Sequence, residues 1–148
     1  MRIISGRSKG RKIHEPKDLN TRPLKDLTKE SIFNILTHSN KFVIKLKNSN
    51  VLDLFSGVGS FGLECLSREV SNVTFVENYD NVLPVLKKNI LDLDYQENSL
   101  VIENDIFNNL DLIIFKKKFD IIFMDPPYKE KKITNILNKI IQSDILSK

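Results

Sequence analysis

From residue 51 onward, short apolar runs alternate with longer amphipathic segments. The apolar runs predict strands, and the amphipathic segments between and after them predict helices. The predicted strands are 51–54, 72–76, 99–102 and 119–124, and the predicted helices are about 60–69, 80–91, 107–115 and 131–142. This repeated βαβ order predicts an α/β fold with a Rossmann-like, doubly wound sheet that is mostly parallel.

Residues 1–48 follow a different pattern. Alternating positions at 2–5 and 11–15 predict a small hairpin around Gly6 and Gly10. Apolar positions at helical spacing predict a helix over about 27–37, and residues 42–46 suggest a further helical turn or two. The first third of the chain is therefore expected to form an extension in front of the α/β domain.

The most informative short segment is Asp125-Pro126-Pro127-Tyr128, which follows the last predicted strand. Two prolines cannot continue a strand, so the chain must turn sharply at the carboxyl end of that strand. Ligands of open α/β sheets bind outside that end. The segment therefore presents a carboxylate, a backbone carbonyl and an aromatic ring at the expected site, and these groups suit a planar amine.

A second segment, residues 51–62, contains the spacing G-x-G-x-x-G between a predicted strand and a predicted helix. Nicotinamide and flavin enzymes use the same glycines to admit a pyrophosphate at a helix N-terminus. Asp53, four residues before Gly57, argues against a pyrophosphate, because two negative charges at short range repel each other. A carboxylate at this position favours a cationic ligand with a free ammonium group, such as S-adenosylmethionine.

The ends of the next strands also carry acidic residues. Glu77 lies twenty residues after Gly57, where a carboxylate can accept hydrogen bonds from two ribose hydroxyls. Asp105, after the third predicted strand, is placed to meet an adenine amino group. The predicted cofactor-binding set is Asp53, Phe55, Gly57, Gly59, Glu77, Asn78, Asp105 and Ile106.

Together these segments resemble the class I S-adenosylmethionine-dependent methyltransferases that act on exocyclic amines. Four N-terminal segments narrow the resemblance to the bacterial small-subunit (16S) ribosomal RNA guanine-N2 methyltransferases, the RsmD-like family. These segments are Arg2-Ile3-Ile4-Ser5-Gly6, Gly10-Arg11-Lys12, Thr21-Arg22-Pro23 and residues 30–36. The resemblance runs from residue 2 to about residue 128, and it implies methyl transfer to a guanine N2 amine of small-subunit ribosomal RNA.

The catalytic residues are predicted to be Asp125, Pro126, Pro127 and Tyr128. The site alone does not separate guanine N2 from adenine N6, so an adenine-N6 methyltransferase acting on DNA or RNA stays open. A non-catalytic RNA-binding remnant of the fold also stays open. The resemblance implies further C-terminal strands, which this chain is expected to lack, so the edge beyond the last predicted strand is expected to be left uncovered.

The net charge of +4 arises from an N-terminal basic excess, because residues 1–29 hold nine Lys or Arg and only three acidic residues. Clustered positive charge is typical of a surface that binds a phosphate backbone. The predicted RNA-binding residues are Arg7, Arg11, Lys12 and Arg22. We therefore expect a basic RNA-binding extension at 1–48 and an S-adenosylmethionine-binding catalytic domain at 49–148.

Composition sets the other expectations. The single cysteine, Cys65, cannot form an internal disulfide, and neither His14 nor His38 has a second histidine nearby, so no metal site is expected. No apolar run approaches the roughly 20 residues that span a bilayer, and the N-terminus lacks the long apolar region of a signal peptide. These features indicate a cytoplasmic monomer whose partner is ribosomal RNA or a small-subunit assembly particle.

Overall fold

The computed structural model describes residues 1–17, 24–39, 45–108, 111–112, 115, 117–127 and 132–147. Its helices are α1 (Asp26–His38), α2 (Ser60–Ser67), α3 (Leu83–Asp92) and α4 (Ile133–Ser143), with a short 3-10 helix at Gln96–Asn98. Its strands are β1 (Asn50–Leu54), β2 (Asn72–Glu77), β3 (Ser99–Glu103) and β4 (Ile121–Met124). Within the described ranges, no helix has both the length and the apolar character needed to cross a membrane.

The four strands form one parallel sheet in the order β3-β2-β1-β4. The chain builds the sheet from β1 toward β3 and then crosses over to place β4 on the other side of β1. The carboxyl ends of β1 and β4 therefore flank the point at which the strand order reverses. The parallel sheet confirms the predicted fold class. In open α/β sheets, ligands bind at such a point, which is where the site is expected.

Alternate residues of the central strands enter two hydrophobic clusters on opposite faces of the sheet. Val51 and Phe75 belong to one cluster with Leu86 of α3. Leu52 belongs to the other cluster with Ile136 of α4. The sheet is thus covered on both faces, which explains why its central strands are almost continuously apolar.

The predicted N-terminal hairpin is present. The Ile3 amide donates a hydrogen bond to the Arg11 carbonyl (2.9 Å), and the Gly10 amide donates one to the Ile3 carbonyl (2.9 Å). Ile3 and Ile13 are buried in the same cluster as Phe33 of α1 and Val51 of β1. The N-terminal residues therefore share a core with the sheet, while the functional division into residues 1–48 and 49–148 stays a prediction.

The segment 107–115 differs from the predicted helix. Residues 106–108 form a turn, and residues 109–110 and 113–114 lie outside the described residues. The turn forms because the Asp105 carboxylate accepts hydrogen bonds from the amides of Phe107 (2.8 Å) and Asn108 (3.2 Å). The helical turn predicted at 42–46 lies mostly outside the described residues.

The last strand begins two residues later than predicted, because Phe119 pairs with residues that follow α4. Its amide donates a hydrogen bond to the Ile145 carbonyl (2.7 Å), and the Ser147 amide donates one to the Phe119 carbonyl (2.8 Å). Phe119 thereby forms a parallel bridge with Leu146. The edge that was expected to stay uncovered is thus partly paired, just before β4 begins.

Candidate functional site

A cavity of about 750 Å³ opens at the carboxyl ends of the central strands. Ten of the predicted site residues line it: Asp53, Phe55, Gly57, Glu77, Asn78, Asp105, Ile106, Asp125, Pro126 and Pro127. They come from four separate strand ends, and the parallel sheet brings them to one edge. Gly59 does not line the cavity, and Tyr128 lies outside the described residues.

The glycine loop between β1 and α2 reverses the chain by means of left-handed backbone conformations. Phe55 has a φ of 60°, Gly57 a φ of 54° and Gly59 a φ of 85°. A side-chain carbon added at Gly59 would lie 2.6 Å from the Leu86 side chain. Gly59 is therefore required by the turn and by the packing behind it, whereas Gly57 is the glycine that faces the cavity.

Asp53 is the most deeply buried acidic group at the cavity, with 1% of its surface exposed. Its pKa is raised to about 8, mainly by burial. A hydrogen bond from the Gly62 amide lowers this pKa, and the negative charges of Glu77 and Asp125 help to raise it. That amide lies 3.0 Å from Asp53 Oδ2. Asp53 is thus a desolvated carboxyl group that a cationic ligand would return to its charged form.

Glu77 is fixed at the end of β2 by three backbone hydrogen bonds. Its Oε2 accepts one from the Gly57 amide (2.7 Å), and its Oε1 accepts one each from the amides of Asn78 (2.9 Å) and Tyr79 (3.0 Å). The carboxylate thereby joins two strand ends and holds the glycine loop against β2. A ligand that binds Glu77 therefore lies next to a glycine loop whose position is already fixed.

Asp105 is oriented by its own turn. Besides the two amide hydrogen bonds noted above, its Oδ2 accepts one from the Asn108 side-chain amide (2.8 Å), and this bond is the main cause that lowers the pKa of Asp105. The turn also brings the Phe107 ring against Phe55, with ring centroids 4.9 Å apart. This aromatic wall was missed from the sequence, where Phe107 was read as the first residue of a helix.

Asp125, Pro126 and Pro127 leave β4 beside the end of β1. Since β4 pairs with β1 in register, Asp53 and Asp125 stand at neighbouring strand ends on either side of the switch point. Partial burial raises the pKa of Asp125. The two carboxyl groups are close enough for the charge of Asp125 to raise the pKa of Asp53.

The cavity also has apolar lining residues outside the predicted set, among them Leu24, Phe61 and Phe123. The rings of Phe61 and Phe123 stack with their centroids 3.8 Å apart and their planes at 11°. Leu24 comes from the N-terminal third of the chain. No sequence signal identifies Leu24, because only tertiary packing brings it to the cavity, whereas Phe123 lies two residues before Asp125 and could have been inferred from that position.

Three of the predicted RNA-binding residues, Arg7, Arg11 and Lys12, lie on the hairpin and do not line the cavity. The Arg7 guanidinium lies over the Tyr95 ring, 4.4 Å from its centroid. Arg11 donates a hydrogen bond to the Asp92 carbonyl and lies 3.7 Å from the Asp94 carboxylate. Lys12 is exposed on the hairpin, and Arg22 lies outside the described residues. The two arginines are thus partly occupied by contacts within the protein.

Among the described residues, no group of three or more His, Cys, Asp or Glu side chains is arranged to hold a metal ion. Cys65 is a buried free thiol, and burial raises its pKa. It lies in the hydrophobic cluster beneath the hairpin, so it is a packing residue.

The sequence profile of the family described as conserved hypothetical protein 95 matches residues 1–148. Ribosomal RNA small subunit methyltransferase D of Buchnera aphidicola subsp. Acyrthosiphon pisum is 38% identical over 138 residues, which are 91% of this chain and 68% of that protein. The Haemophilus influenzae protein of the same name is 36% identical over 129 residues, 86% of this chain and 64% of that protein. The chain thus spans about two thirds of the length of these curated relatives.

Solved structures agree with the sequence relatives. The structure described as "Putative methyltransferase yhhF from Escherichia coli" matches with a TM-score of 0.81 and 30% identity, covering 99% of this chain and 75% of that one. The architecture described above is therefore that of a known methyltransferase fold. Because the family profile matches the whole chain and relatives are more than 30% identical to it, this chain belongs to the family described as conserved hypothetical protein 95, whose structural relatives have the Rossmann-like methyltransferase fold.

Proposed function

We propose that this chain transfers a methyl group from S-adenosylmethionine to the exocyclic N2 amine of a guanine in small-subunit ribosomal RNA. One observation carries the proposal. A buried carboxyl group with a raised pKa, Asp53, stands beside the Asp125-Pro126-Pro127 turn in one cavity at the switch point of the sheet. A cation-binding group and an amine-binding group are thus neighbours.

The charges of the cavity fit S-adenosylmethionine better than a dinucleotide. Four acidic residues line the cavity, which disfavours a pyrophosphate and favours a ligand with ammonium and sulfonium charges: Asp53, Glu77, Asp105 and Asp125. The volume of about 750 Å³ is within the range of cofactor pockets. Asp53 would hold the ammonium group, Glu77 the ribose hydroxyls and Asp105 the adenine amino group. When bound, this cofactor supplies a methyl group on a positively charged sulfur.

The turn after β4 would orient the acceptor. The Asp125 carboxylate and the Pro126 carbonyl can each accept one hydrogen of the target amine, which aims the nitrogen lone pair away from them. The raised pKa of Asp125 suits it to take the proton that the amine must lose after methylation. Pro127 stiffens the turn, and Tyr128 is proposed to stack on the base. A paired base cannot reach this cavity, so the target nucleotide must be flipped out or single-stranded.

The choice of RNA rests on the relatives and on charge. The curated relatives are named as small-subunit ribosomal RNA methyltransferases, and the basic residues of this chain concentrate in its N-terminal third. The carboxylate and carbonyl of the turn would serve adenine N6 equally well, so the guanine assignment comes from the family resemblance. We infer S-adenosylmethionine as the cofactor and ribosomal RNA or a small-subunit assembly particle as the partner.

The direct test incubates the chain with methyl-labelled S-adenosylmethionine and, in separate reactions, protein-free small-subunit ribosomal RNA, assembled subunits and DNA. Digestion to nucleosides identifies the product. We expect label in N2-methylguanosine from one of the two ribosomal substrates. Label in N6-methyladenine would support the alternative base, and absence of label from all nucleosides would contradict the proposal.

A further inference from the structure

A second, shallower cleft lies beside the cavity, between the N-terminal hairpin and α3. Its volume is about 510 Å³. One wall contains His14 of the hairpin and Lys17, which follows the hairpin. The other wall includes Asn81 in the turn before α3, Pro84 at the start of α3 and Lys88 in its middle. None of these residues belongs to the cofactor-binding or catalytic sets.

The cleft has an excess of positive charge because the acidic groups in and beside it already have partners. Glu15 also lines the cleft, but it forms an ion pair with the N-terminal ammonium group at 2.5 Å. Asp92 Oδ2 lies 2.7 Å from the His14 ring nitrogen. Within the described part of the chain, neither Lys17 nor Lys88 has a counter-ion, and both are exposed. Two lysines therefore remain available to an anion from solvent.

The cleft and the cavity share a wall. Asn78, Tyr79 and Val82 line the cavity, whereas Asn81 and Pro84 line the cleft, so the segment 78–84 separates the two. A ligand that spans this segment can occupy both at once. A polynucleotide has the required form, with a base in the cavity and a phosphate of its backbone in the cleft.

A buried asparagine fixes the position of the cleft relative to the cavity. Asn89 is 1% exposed, and its side-chain amide donates hydrogen bonds to the carbonyls of His14 (3.1 Å) and Val58 (3.0 Å). Its side-chain oxygen accepts one from the His14 amide (2.8 Å). Because Val58 belongs to the glycine loop and lines the cavity, one side chain holds the hairpin and the loop together.

We propose that this cleft binds a backbone phosphate of the substrate RNA, next to the target nucleotide, through Lys17 and Lys88. The inference rests on the proposed function, since it assumes that the base enters the cavity. It assigns part of the RNA contact to Lys17 and Lys88, whereas Arg7 and Arg11 already contact Tyr95 and Asp94. Phosphate contacts of this kind fix the register of a nucleic acid without reading its sequence.

The test compares two double variants of equal charge. In Lys17→Gln/Lys88→Gln the cleft loses both cations, and in the control Lys45→Gln/Lys139→Gln two exposed lysines outside both sites are lost. Binding of protein-free small-subunit ribosomal RNA is measured over a range of salt concentrations. For the cleft variant we expect affinity to fall about tenfold. The log–log salt slope should become shallower by about 0.7 to 0.9 per lost phosphate contact.

Several outcomes separate this inference from the proposed function. Unchanged RNA affinity and salt slope in the cleft variant would overturn the inference, and so would an equal loss in the control variant. Inorganic phosphate should displace RNA from the wild type more than chloride of the same ionic strength does, and the cleft variant should lose this difference. Equal competition by phosphate in both proteins would contradict the inference. The cleft variant should show a raised KM for RNA, whereas the control variant Lys45→Gln/Lys139→Gln should keep the wild-type KM and kcat. The two proposals can fail separately. If the wild type transfers no methyl group but Lys17→Gln/Lys88→Gln still binds RNA more weakly than the wild type, the proposed function is contradicted and the inference about the cleft is not.

Discussion

The Glu77 carboxylate at the end of β2 accepts a hydrogen bond of 2.7 Å from the amide of Gly57, twenty residues earlier in the loop after β1. One acidic group thereby both faces the cavity and orders the loop beside it. The same carboxylate is bound by the amides of Asn78 and Tyr79, so its position is set by the backbone on two sides. The proposed ribose-binding group is thus preorganised before any ligand arrives.

Replacement of Glu77 by Ala is expected to weaken S-adenosylmethionine binding by at least tenfold. The variant loses charge-assisted hydrogen bonds to the ribose, each worth about 1.5–3 kcal/mol, and it also frees the Gly57 amide. Isothermal calorimetry measures the change. Glu103→Ala is the matched control, because Glu103 is the register partner of Glu77 on β3 but pairs with Lys87 and does not line the cavity. Equal S-adenosylmethionine affinities for Glu77→Ala and the wild type would show that Glu77 does not bind the cofactor.

Cofactor binding is expected to strengthen as pH rises from 6 to 8. The pKa of unliganded Asp53 is about 8, so this group is mostly protonated at neutral pH, whereas an ammonium ligand requires the carboxylate. Affinity should therefore increase by up to about tenfold per pH unit below the pKa. Close to one proton should be released on binding at pH 7. Calorimetry with S-adenosylhomocysteine in buffers of different ionisation enthalpy measures that proton, and Asp53→Asn should abolish its release. An affinity that is flat over this pH range would contradict the assignment.

The raised pKa of Asp53 should also make the stability of the protein depend on pH. The native chain holds the Asp53 proton up to about pH 8, whereas the unfolded chain loses it near the ordinary value of 3.8. The contribution of this group to stability therefore falls as pH rises from about 4 to about 8, on the order of 1.4 kcal/mol per pH unit. Asp53→Asn should raise the free energy of unfolding at pH 8.5 and change it far less at pH 4. Urea titrations at the two pH values measure this difference, and a variant that is less stable than the wild type at pH 8.5 would refute it.

Two glycines of the N-terminal hairpin offer a matched pair of substitutions. Gly6 and Gly10 have nearly the same left-handed backbone, with φ of 83° and 85°. A side-chain carbon at Gly6 would lie 1.8 Å from the Ser67 carbonyl oxygen, whereas one at Gly10 would meet nothing within 4 Å. Gly10→Ala should therefore cost only the backbone term of about 1–2 kcal/mol. Gly6→Ala should cost clearly more, because the hairpin must move away from α2. Urea unfolding of both variants measures the difference, and equal losses would show that the contact with α2 is unimportant.

The order of the elements and the acidic strand ends could be predicted from the sequence because both depend on local patterns. Apolar runs separated by amphipathic segments specify βαβ units, and parallel strands then bring Asp53, Glu77 and Asp125 to one edge. The segment after Asp105 was harder to predict. Its apolar residues indicated a helix, but the Asp105 side chain competes for the backbone amides and forms a turn instead.

The attachment of the hairpin could not be read from the sequence because it depends on buried polar contacts between distant residues. Glu64 of α2 is fully buried, and its oxygens accept hydrogen bonds from the amides of Ile4 (2.8 Å) and Ser5 (2.9 Å). Lys29 of α1, also fully buried, lies 3.6 Å from the same carboxylate, and burial lowers its pKa. In the sequence Glu64 and Lys29 are ordinary charged helix positions, and only the tertiary structure shows that they hold the hairpin.

Asp125 provides the sharpest test of the chemistry, because its removal should affect the reaction far more than cofactor binding. Asp125→Ala deletes one of the two proposed acceptors for the amine hydrogens, and loss of a preorganised electrostatic partner costs about 100- to 1000-fold in rate. The charge of Asp125 also raises the pKa of Asp53, so the same variant should shift the pH midpoint of cofactor binding downward. Single-turnover methylation at saturating cofactor measures the first effect, and binding titrations from pH 6 to 9 measure the second.

Glu97→Ala is the control for both measurements. It removes an exposed charge away from the cavity, so it should change neither the methylation rate nor the pH midpoint of cofactor binding. A shifted pH midpoint with a wild-type rate would show that Asp125 contributes charge to the cofactor site but does not act on the acceptor amine.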